Sequence, residues 1–220
     1  MTLIRNIIFD FGGVIYDIDF QRSIAEFQKL GFDNFDQLYS RAIQDKLFEN
    51  LETDDCSPQE FLTELHSYFD TKVSEIQIEA AWNALLIGYR HERLQMLKEL
   101  SKCYNIYLLS NTNRIHYAVF IKEFEEMTGF KSFNELFQKA YLSFNIKCRK
   151  PDSEAYLHVL KDARIDAHET LFIDDSFQNI QPAIDIGLHT HFLDLSKGED
   201  VLDLFDGHQL KSEILKAKSK

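Results

Sequence analysis

Short apolar runs that end in polar residues recur along this chain. Each run precedes a helical pattern and is followed at once by small polar or acidic side chains. The runs cover residues 7–9, 106–109 and 171–173. An apolar run stopped by polar residues or glycines is typical of a buried parallel strand that feeds a loop. The three runs therefore predict parallel strands whose carboxyl ends converge on one site.

Helical patterns separate these strands. In residues 91–102, Leu94, Leu97 and Leu100 recur at helical spacing, and a second helix is predicted after Pro151. Acidic residues near the start of that second helix favour it, and its apolar positions are Ala155, Leu157, Val159 and Leu160. Strand and helix alternate from about residue 89 onward, which predicts βαβ units with right-handed crossovers.

Residues 16–88 have a different pattern, with apolar positions spaced near 3.6 residues and without a comparable strand run. The positions are Ile24, Phe27, Leu30, Phe61, Leu62, Leu65, Phe69, Ile76, Ala80, Trp82, Leu85 and Leu86. This region predicts an all-helical insert after the first strand. The expected fold is α/β, a Rossmann-like three-layer core of residues 1–15 and 89–210. Residues 211–220 are expected to form a solvated, frayed helix end.

Composition narrows the function classes. The 220 residues suit one core domain with a smaller insert, and a net charge of −12 disfavours binding to a nucleic-acid backbone. A small phosphorylated substrate stays compatible, because a metal or a local cation can reverse the field in a pocket. The chain has neither a signal-peptide pattern nor an apolar stretch long enough for a membrane span. Cys56, Cys103 and Cys148 lack paired spacing, so we expect reduced thiols in a cytoplasmic protein. We infer no obligate protein partner from the sequence.

Acidic side chains at two strand ends are the first candidates for chemistry. Asp10 follows a buried strand beside Gly12 and Gly13, where an unpaired carboxylate would be costly. A turn or helix-capping aspartate is the alternative. Asp174 and Asp175 are adjacent carboxylates that repel each other, and oxygen ligands of this kind suit Mg²⁺. An ordinary acidic turn is the alternative for that pair.

Three further residues could bind an anion. Lys150 lies at another element boundary and could neutralise a phosphate, although a single lysine is more often solvated. Ser110 and Asn111 offer a hydroxyl and an amide at a helix start, where phosphate oxygens bind well. Simple capping of that helix is the alternative role for both residues.

Together these strand-end sites resemble the haloacid dehalogenase-like hydrolase superfamily. Four motifs follow the order of that family: residues 7–14 around Asp10, residues 108–111, Lys150-Pro151, and residues 172–176 with Asn179. The resemblance covers nearly the whole chain. It implies that the helical insert, residues 16–88, is the helical cap of the family.

The resemblance also implies roles for these residues. Asp10 would attack phosphorus and form an aspartyl-phosphate, with Ser110 and Lys150 as its catalytic partners. Mg²⁺ would be held by Asp10, the Gly12 carbonyl and Asp175, with Asp174 ligating directly or through water. Ser110, Asn111 and Lys150 would hold the phosphoryl oxygens of a small phosphorylated metabolite. The cap would close over that substrate and exclude water.

The chain departs from the family pattern at Gly12, where phosphatases of the family usually carry a second aspartate as general acid and base. Such assistance contributes about 10²–10⁴-fold in rate. Residues 14–20 resemble a subgroup that includes a glucose-1-phosphate phosphatase and also lacks that aspartate. We therefore hypothesise a substrate with a good leaving group, such as an anomeric sugar 1-phosphate. A weaker alternative is that Asp17 or Asp19 supplies the acid.

Two other functions fit the same residues. A metal-independent 2-haloacid dehalogenase also lacks the second aspartate, although the Asp174-Asp175 pair would repel its carboxylate substrate. A catalytically weak binding module is the second alternative. Trp82, Tyr89, Arg22 and Arg41 could face the substrate from the insert, or could be packing and solvated residues.

Overall fold

Five parallel strands form the central sheet in a computed structural model, which describes residues 3–32, 46–68 and 72–214. The strands are ordered β5-β4-β1-β6-β7 across that sheet. Their bounds, with the short strands outside the sheet, are β1 Asn6–Phe9, β2 Tyr16–Ile18, β3 Leu86–Tyr89, β4 Asn105–Ser110, β5 Lys139–Leu142, β6 Thr170–Asp174, β7 His189–Phe192, β8 Phe205–Asp206 and β9 Gln209–Leu210. All three strands predicted from the apolar runs are present, as β1, β4 and β6.

The register of the sheet brings the predicted site residues together. On β1, Phe9 pairs with Leu108 of β4 on one side and with Ile173 of β6 on the other. Asp10 continues this ladder, because its N–H donates to the carbonyl of Ile173 at 2.9 Å. The side chains that follow β1, β4 and β6 therefore share one edge of the sheet, as expected for parallel strands.

The helices that the structure describes are α1 Phe20–Lys29, α2 Leu47–Glu52, α3 Pro58–His66, α4 Glu75–Asn83, α5 His91–Leu100, α6 Arg114–Thr128, α7 Ser143–Ile146, α8 Ser153–Ala163 and α9 Phe177–Asp185. Several begin at sequence-encoded caps. Ser57 and Ser74 form capping boxes with Glu60 and Gln77, and Asn113 accepts hydrogen bonds from two N–H groups of α6.

Alternating side chains of β1 pack against two different layers of helix. Ile7 and Phe9 belong to a cluster with Leu97 of α5 and Phe120 of α6. Ile8 lies in a second cluster, which includes residues of α8 and α9. Since the sheet is buried on both faces, the core has the three-layer α/β/α arrangement predicted from the sequence.

Helices α1 to α4 lie between β2 and β3 and bury a cluster of their own, formed by Phe27, Leu51, Phe61, Leu65 and Ile78 among others. β2 and β3 pair antiparallel, Tyr16 opposite Tyr89, so the insert leaves and rejoins the core through a two-stranded ribbon. The prediction of helix across all of 16–88 is therefore wrong at both ends. α4 ends at Asn83, and Leu86 begins β3.

Other expectations differ in detail. Ile76 is 81% exposed and Ala80 is also exposed, because α4 buries the face that carries Ile78 and Ala81. Leu157 on α8 is half exposed. Residues 211–214 form a turn and not a helix end, and residues 215–220, Arg41 and Phe69 lie outside the described residues.

Candidate active site

Lys150 joins two carboxylates at the edge of the sheet. Its ammonium donates to Asp10 Oδ1 and to Asp174 Oδ2, each at 2.6 Å. The Lys150 side chain is 1% exposed and that of Asp174 is fully buried. A lysine buried this deeply requires such partners, so the solvated-lysine alternative is wrong.

Asp174 is held by three donors. Besides Lys150, its carboxylate accepts the N–H of Ser176 at 2.7 Å and the Nδ2 of Asn179 at 3.0 Å. Asn179 lies in the first turn of α9, so the start of this helix folds back onto the aspartate that ends β6. These bonds fix the orientation of the Asp174 carboxylate and use much of its accepting capacity.

Asp175 packs against the glycine turn that follows β1. Gly13 has a φ of +79°, and a Cβ built there would approach Asp175 Oδ2 more closely than real Cβ atoms do. Glycine is therefore required at this position for two reasons, the left-handed backbone and the carboxylate beside it. The turn itself is closed by the Gly13 N–H, which donates to the carbonyl of Tyr16 at 2.8 Å.

The carboxylates strongly perturb one another. Burial raises the pKa of Asp10 to about 8, opposed by Lys150 and reinforced by the charges of Asp174 and Asp175. Burial and the charge of Asp174 raise the pKa of Asp175 to about 6. Burial alone would lower the pKa of Lys150, but the two aspartates that it contacts raise it. A single lysine thus faces three acids, which leaves the cluster short of positive charge.

The donor set fits a divalent cation. One oxygen from each of Asp10, Asp174 and Asp175 lies within 4.8 Å of the other two. Carboxylate oxygens are the ligands that Mg²⁺ prefers, and a cation would offset the repulsion that raises their pKa values. Because Asp174 is already held by Lys150, Ser176 and Asn179, Asp10 and Asp175 are the more available ligands.

Ser110 and Asn111 lie at the end of β4 beside this cluster. Ser110 is buried, with its hydroxyl 3.5 Å from the Asn111 carbonyl. The Asn111 side chain makes two bonds to the backbone of Lys150: Oδ1 accepts the N–H at 2.9 Å and Nδ2 donates to the carbonyl at 2.7 Å. This amide therefore holds the Lys150 loop in place, a function that the sequence did not suggest. Neither side chain caps α6, since Asn113 does so.

Neither alternative acid lies in the carboxylate cluster. Asp17 pairs with Arg93 at 2.7 Å, and Asp19 caps α1 by accepting the N–H of Gln21. A Cβ at Gly12 would lie 3.0 Å from Ile18 Cδ1, so a larger residue there would displace Ile18.

A cavity of about 610 Å³ opens between the insert and the sheet edge. Its floor includes Gly12, Ser110 and Asn111, and α1, α2 and α4 supply its opposite wall. Trp82 lines it, but Tyr89 and Arg22 do not. Tyr89 instead packs on Tyr16, and its hydroxyl donates to the Phe120 carbonyl.

Sequence reasoning missed an ion pair in this cavity. Arg149 Nε lies 2.8 Å from Glu52 Oε2, joining α2 of the insert to the residue before Lys150. Neither atom has a hydrogen-bond partner among the described residues, so this short contact is an ion pair without hydrogen-bond geometry. Burial raises the pKa of Glu52 despite Arg149. The sequence indicated this pair only weakly, since Arg149 is a cation next to Lys150 and Glu52 is one acid among several in the predicted helical insert.

A second cavity of about 620 Å³ lies at the opposite ends of the strands, near Arg5 and Asn105. Ligands of open α/β sheets bind at the carboxyl ends of the strands, and this cavity is at the amino ends.

Among the residues that the structure describes, we find no helix long and apolar enough to cross a membrane.

Comparison with known proteins agrees with this geometry. The family model of haloacid dehalogenase-like hydrolases matches residues 4–187. A D-ribitol-5-phosphate phosphatase from Bacteroides thetaiotaomicron is 32% identical over 86% of this chain and 91% of that protein. A sesquiterpene phosphatase from Aspergillus oryzae is 24% identical over 85% of this chain and 88% of that protein.

Solved structures of the same family superpose closely. A HAD family enzyme from Bacteroides thetaiotaomicron has a TM-score of 0.84 and 38% identity, covering 93% of this chain and 99% of that one. Another structure of that enzyme, in complex with magnesium and inorganic phosphate, has a TM-score of 0.79 and 35% identity, covering 92% of this chain and 100% of that one. A 2-haloacid dehalogenase from Pseudomonas syringae shares the fold at 16% identity and a TM-score of 0.59, over 88% of each chain.

The chain belongs to the haloacid dehalogenase-like hydrolases, and the resemblance found in its sequence motifs is confirmed. Within that family it is a phosphatase, a hydrolase of phosphoric monoesters. Magnesium is present in crystal structures of its neighbours, which supports this ion for the family.

Proposed function

We propose that this phosphatase is Mg²⁺-dependent and hydrolyses a small phosphomonoester through an aspartyl-phosphate at Asp10. The observation that carries the proposal is the cluster of Asp10, Asp174 and Asp175 around the buried Lys150. It lies at the same sheet edge whose residues Gly12, Ser110 and Asn111 line the cavity under the insert. Such a cluster holds one cation and one nucleophile in the same place.

Asp10 is the proposed nucleophile. One of its oxygens forms a bond to phosphorus while the bond from phosphorus to the ester oxygen breaks, and the electron pair leaves on that oxygen. Water then attacks phosphorus, which releases inorganic phosphate and restores the Asp10 carboxylate. The exposed fraction of the Asp10 side chain is 12% and that of Asp174 is 0%, so Asp10 is the more accessible of the two carboxylates.

Lys150 and Ser110 are the proposed phosphoryl-binding side chains. The Lys150 ammonium already lies 2.6 Å from Asp10, so a phosphoryl oxygen brought to Asp10 also comes near this cation. Asn111 contributes mainly by holding the backbone of Lys150 at both its N–H and its carbonyl. We therefore assign Asn111 a positioning role in addition to the predicted phosphate contact.

Asp10, Asp175 and the Gly12 carbonyl are the proposed magnesium ligands, with Asp174 reaching the ion directly or through water. When bound, the ion supplies charge neutralisation for the carboxylates and for the incoming phosphate. The crowding of Gly13 against Asp175 supports this assignment, since the turn and the carboxylate are packed together.

The helical insert is the proposed cap, with the boundaries expected from the sequence, residues 16–88. Its helices line the side of the cavity opposite the strand ends. A cap in this place limits the access of bulk water to the reacting phosphate.

The substrate is constrained by the missing second aspartate. With Gly12 in that position, the described site offers no carboxylate equivalent to it, which favours esters with a good leaving group. An anomeric sugar 1-phosphate stays a prediction. The relatives differ in substrate, a ribitol phosphate for one and a sesquiterpene for the other, so similarity does not choose the alcohol.

The test is phosphate release from acetyl phosphate, with and without Mg²⁺, by the wild-type protein and by Asp10→Asn. Acetyl phosphate has a good leaving group and little bulk, so it depends on the phosphoryl site and hardly on the cap. We expect hydrolysis that stops on chelation and falls by more than about 10³-fold in the variant.

Trapping of the intermediate adds a direct readout. Mass spectrometry of acid-quenched enzyme should find a phosphoryl adduct on the peptide that contains Asp10, and Asp10→Asn should lack it. Turnover that persists in chelator, with halide released from a 2-haloacid, would instead support the dehalogenase alternative. Phosphate release without dependence on Asp10 would contradict the proposal.

A further inference from the structure

We infer that the alcohol released by this phosphatase is apolar, a ring or hydrocarbon of about aromatic size, and not the sugar or polyol that the sequence-based hypothesis of a sugar 1-phosphate requires. This inference rests on the proposed function for the phosphoryl end of the site and concerns the other end of the substrate. It is carried by the chemistry of the cavity between the insert and the sheet.

Apolar side chains dominate the described wall of the cavity. Helices α1, α2 and α4 contribute Phe20, Ile24, Phe27, Phe48 and Trp82, and the core contributes Phe11 and Phe120. Trp82 is stacked between Phe48 and the His116 imidazole, with ring centroids 5.1 Å apart on each side. A wall of this kind attracts apolar surface. It offers a substrate hydroxyl the indole N–H of Trp82, unpaired among the described residues, as a donor, but few hydrogen-bonding groups for its area.

Three polar side chains on the same wall, those of Ser23, Asn113 and His116, are already committed within the protein. Ser23 donates to the carbonyl of Trp82, and Asn113 accepts two N–H groups of α6. His116 Nδ1 is 2.8 Å from Asn83 Oδ1, and burial lowers the pKa of this histidine to about 3, so the ring is neutral. These groups are not available to a substrate unless their own bonds break.

The one ion pair of the described wall is internally neutralised. Arg149 faces Glu52 at 2.8 Å, so the pair contributes no net charge toward a leaving group. A second phosphate or a carboxylate on the substrate would compete with Glu52 for Arg149. This disfavours nucleotides, bisphosphates and phosphorylated acids.

A polyol would lose water at each hydroxyl and regain few hydrogen bonds here. Removing an unpaired polar group from water is unfavourable, and a ribitol or glucose moiety has several such groups. An aromatic or alicyclic alcohol instead gains from burial against these rings. Phenolic esters also leave well, since phenols have a pKa near 10, which suits a site with Gly12 where the second aspartate is usual.

The entrance of the cavity is also apolar. Phe20, the first residue of α1, lines the cavity and is 63% exposed. Exposed aromatic side chains at the edge of a pocket are typical of sites that accept an apolar ligand. Phe20 is also the most favourable residue for mutation, because so exposed a side chain contributes little to folding.

The test compares substrates with similar leaving groups, so that only the polarity of the alcohol differs. Benzyl phosphate and D-ribitol 5-phosphate are both esters of primary alcohols, and acetyl phosphate reports on the phosphoryl site alone. We expect kcat/KM for benzyl phosphate to exceed that for D-ribitol 5-phosphate by at least about tenfold, the factor that corresponds to burying part of an aromatic ring.

Phe20→Ser should lower the ratio of kcat/KM for benzyl phosphate to that for acetyl phosphate by about fivefold. Ile76→Ser is the matched control, because Ile76 is also an exposed apolar side chain of the insert but does not line the cavity. That variant should keep the wild-type ratio.

The outcomes separate the two proposals. Hydrolysis of acetyl phosphate with a preference for D-ribitol 5-phosphate or glucose 1-phosphate over benzyl phosphate would overturn the apolar assignment alone. Equal effects of Phe20→Ser and Ile76→Ser would do the same. A lack of Asp10-dependent acetyl phosphate hydrolysis would overturn the proposed function, and the present inference with it.

Discussion

Gly13 and the Asp175 carboxylate are packed against each other at the edge of the sheet that carries the proposed active site. Gly13 follows β1 and Asp175 follows β6, two strands separated by 160 residues of sequence and adjacent in the sheet. The positive φ of Gly13 places its backbone where Asp175 needs space. The residue that forms the turn thus also fixes a proposed metal ligand.

Gly13→Ala should therefore cost more than backbone strain alone. Gly129 is a matched control, because it has the same φ of +79° but nothing within 4 Å of a built Cβ. We expect Gly129→Ala to lower the free energy of unfolding by about 1–2 kcal/mol and to leave turnover at the wild-type level. Gly13→Ala should lose more stability, and about 10²-fold in kcat/KM because Asp175 is displaced.

Urea unfolding and acetyl phosphate turnover measure the two effects. If Gly13→Ala and Gly129→Ala have the same stability and the same activity, the position of Asp175 does not depend on the turn at Gly13.

At this scale the sequence allowed the prediction of which residues converge, because each followed an apolar run and parallel strands end at a common edge. Asp10, Ser110, Lys150, Asp174 and Asp175 were all expected there. The sequence did not reveal how Asn111 is used or that Arg149 meets Glu52. Those contacts depend on how a loop and a cap helix are oriented, which residue spacing does not encode.

At the scale of elements, the connection between insert and core is a ribbon braced by charge. Arg93 of α5 is 4% exposed and pairs with Asp17 of β2 at 2.7 Å and with Asp200 at 2.8 Å. Asp200 also pairs with Arg90 and caps the 3₁₀ turn Val201–Leu204. A single buried arginine therefore links the outgoing strand of the insert, the helix after the returning strand, and the C-terminal part of the core.

Arg93→Met should destabilise the protein by about 2–3 kcal/mol. This loss of stability is at or below the usual range for breaking a buried ion pair. Asp17 is 36% exposed, so water partly replaces Arg93 as the partner of its carboxylate. Arg90→Met is the control, since Arg90 is 42% exposed and its loss should cost less than about 1 kcal/mol. Equal effects of the two variants in urea unfolding would contradict a bracing role for Arg93.

The elements themselves were predictable to different degrees. β1, β4 and β6 are buried on both faces, so their apolar runs were unambiguous. β3 carries Gly88 and is only partly buried, and Leu86 beside the end of α4 therefore looked helical. On α4 the apolar residues Ile76 and Ile78 point to different sides, and only the contact with the neighbouring helices decides that Ile78 is the buried one.

At the scale of the whole molecule, two buried residues, His116 and Asp10, make the free energy of unfolding depend on pH in opposite directions. Burial lowers the pKa of His116 to about 3, so the unfolded chain takes up a proton below about pH 6.5 that the folded protein refuses, and stability falls as the pH is lowered. Asp10 has its pKa raised to about 8. The folded protein therefore keeps a proton on Asp10 that the unfolded chain has released, and stability falls as the pH rises through 8.

Above about pH 6.5, Asp10 is the dominant member of this set, because Asp175 has its pKa raised only to about 6. Without Mg²⁺ we expect the free energy of unfolding to fall by about 2 kcal/mol between about pH 6.5 and about pH 8, which is 1.36 kcal/mol per pKa unit over that interval. Mg²⁺ favours the ionised carboxylates, so the decline should vanish when the ion is added. Asp10→Asn should remove the decline without any metal, since the titrating group is gone, and should gain less stability from Mg²⁺ than the wild type does. Urea unfolding at the two pH values measures both effects, and an unchanged decline in Asp10→Asn would show that titration of Asp10 is not its source.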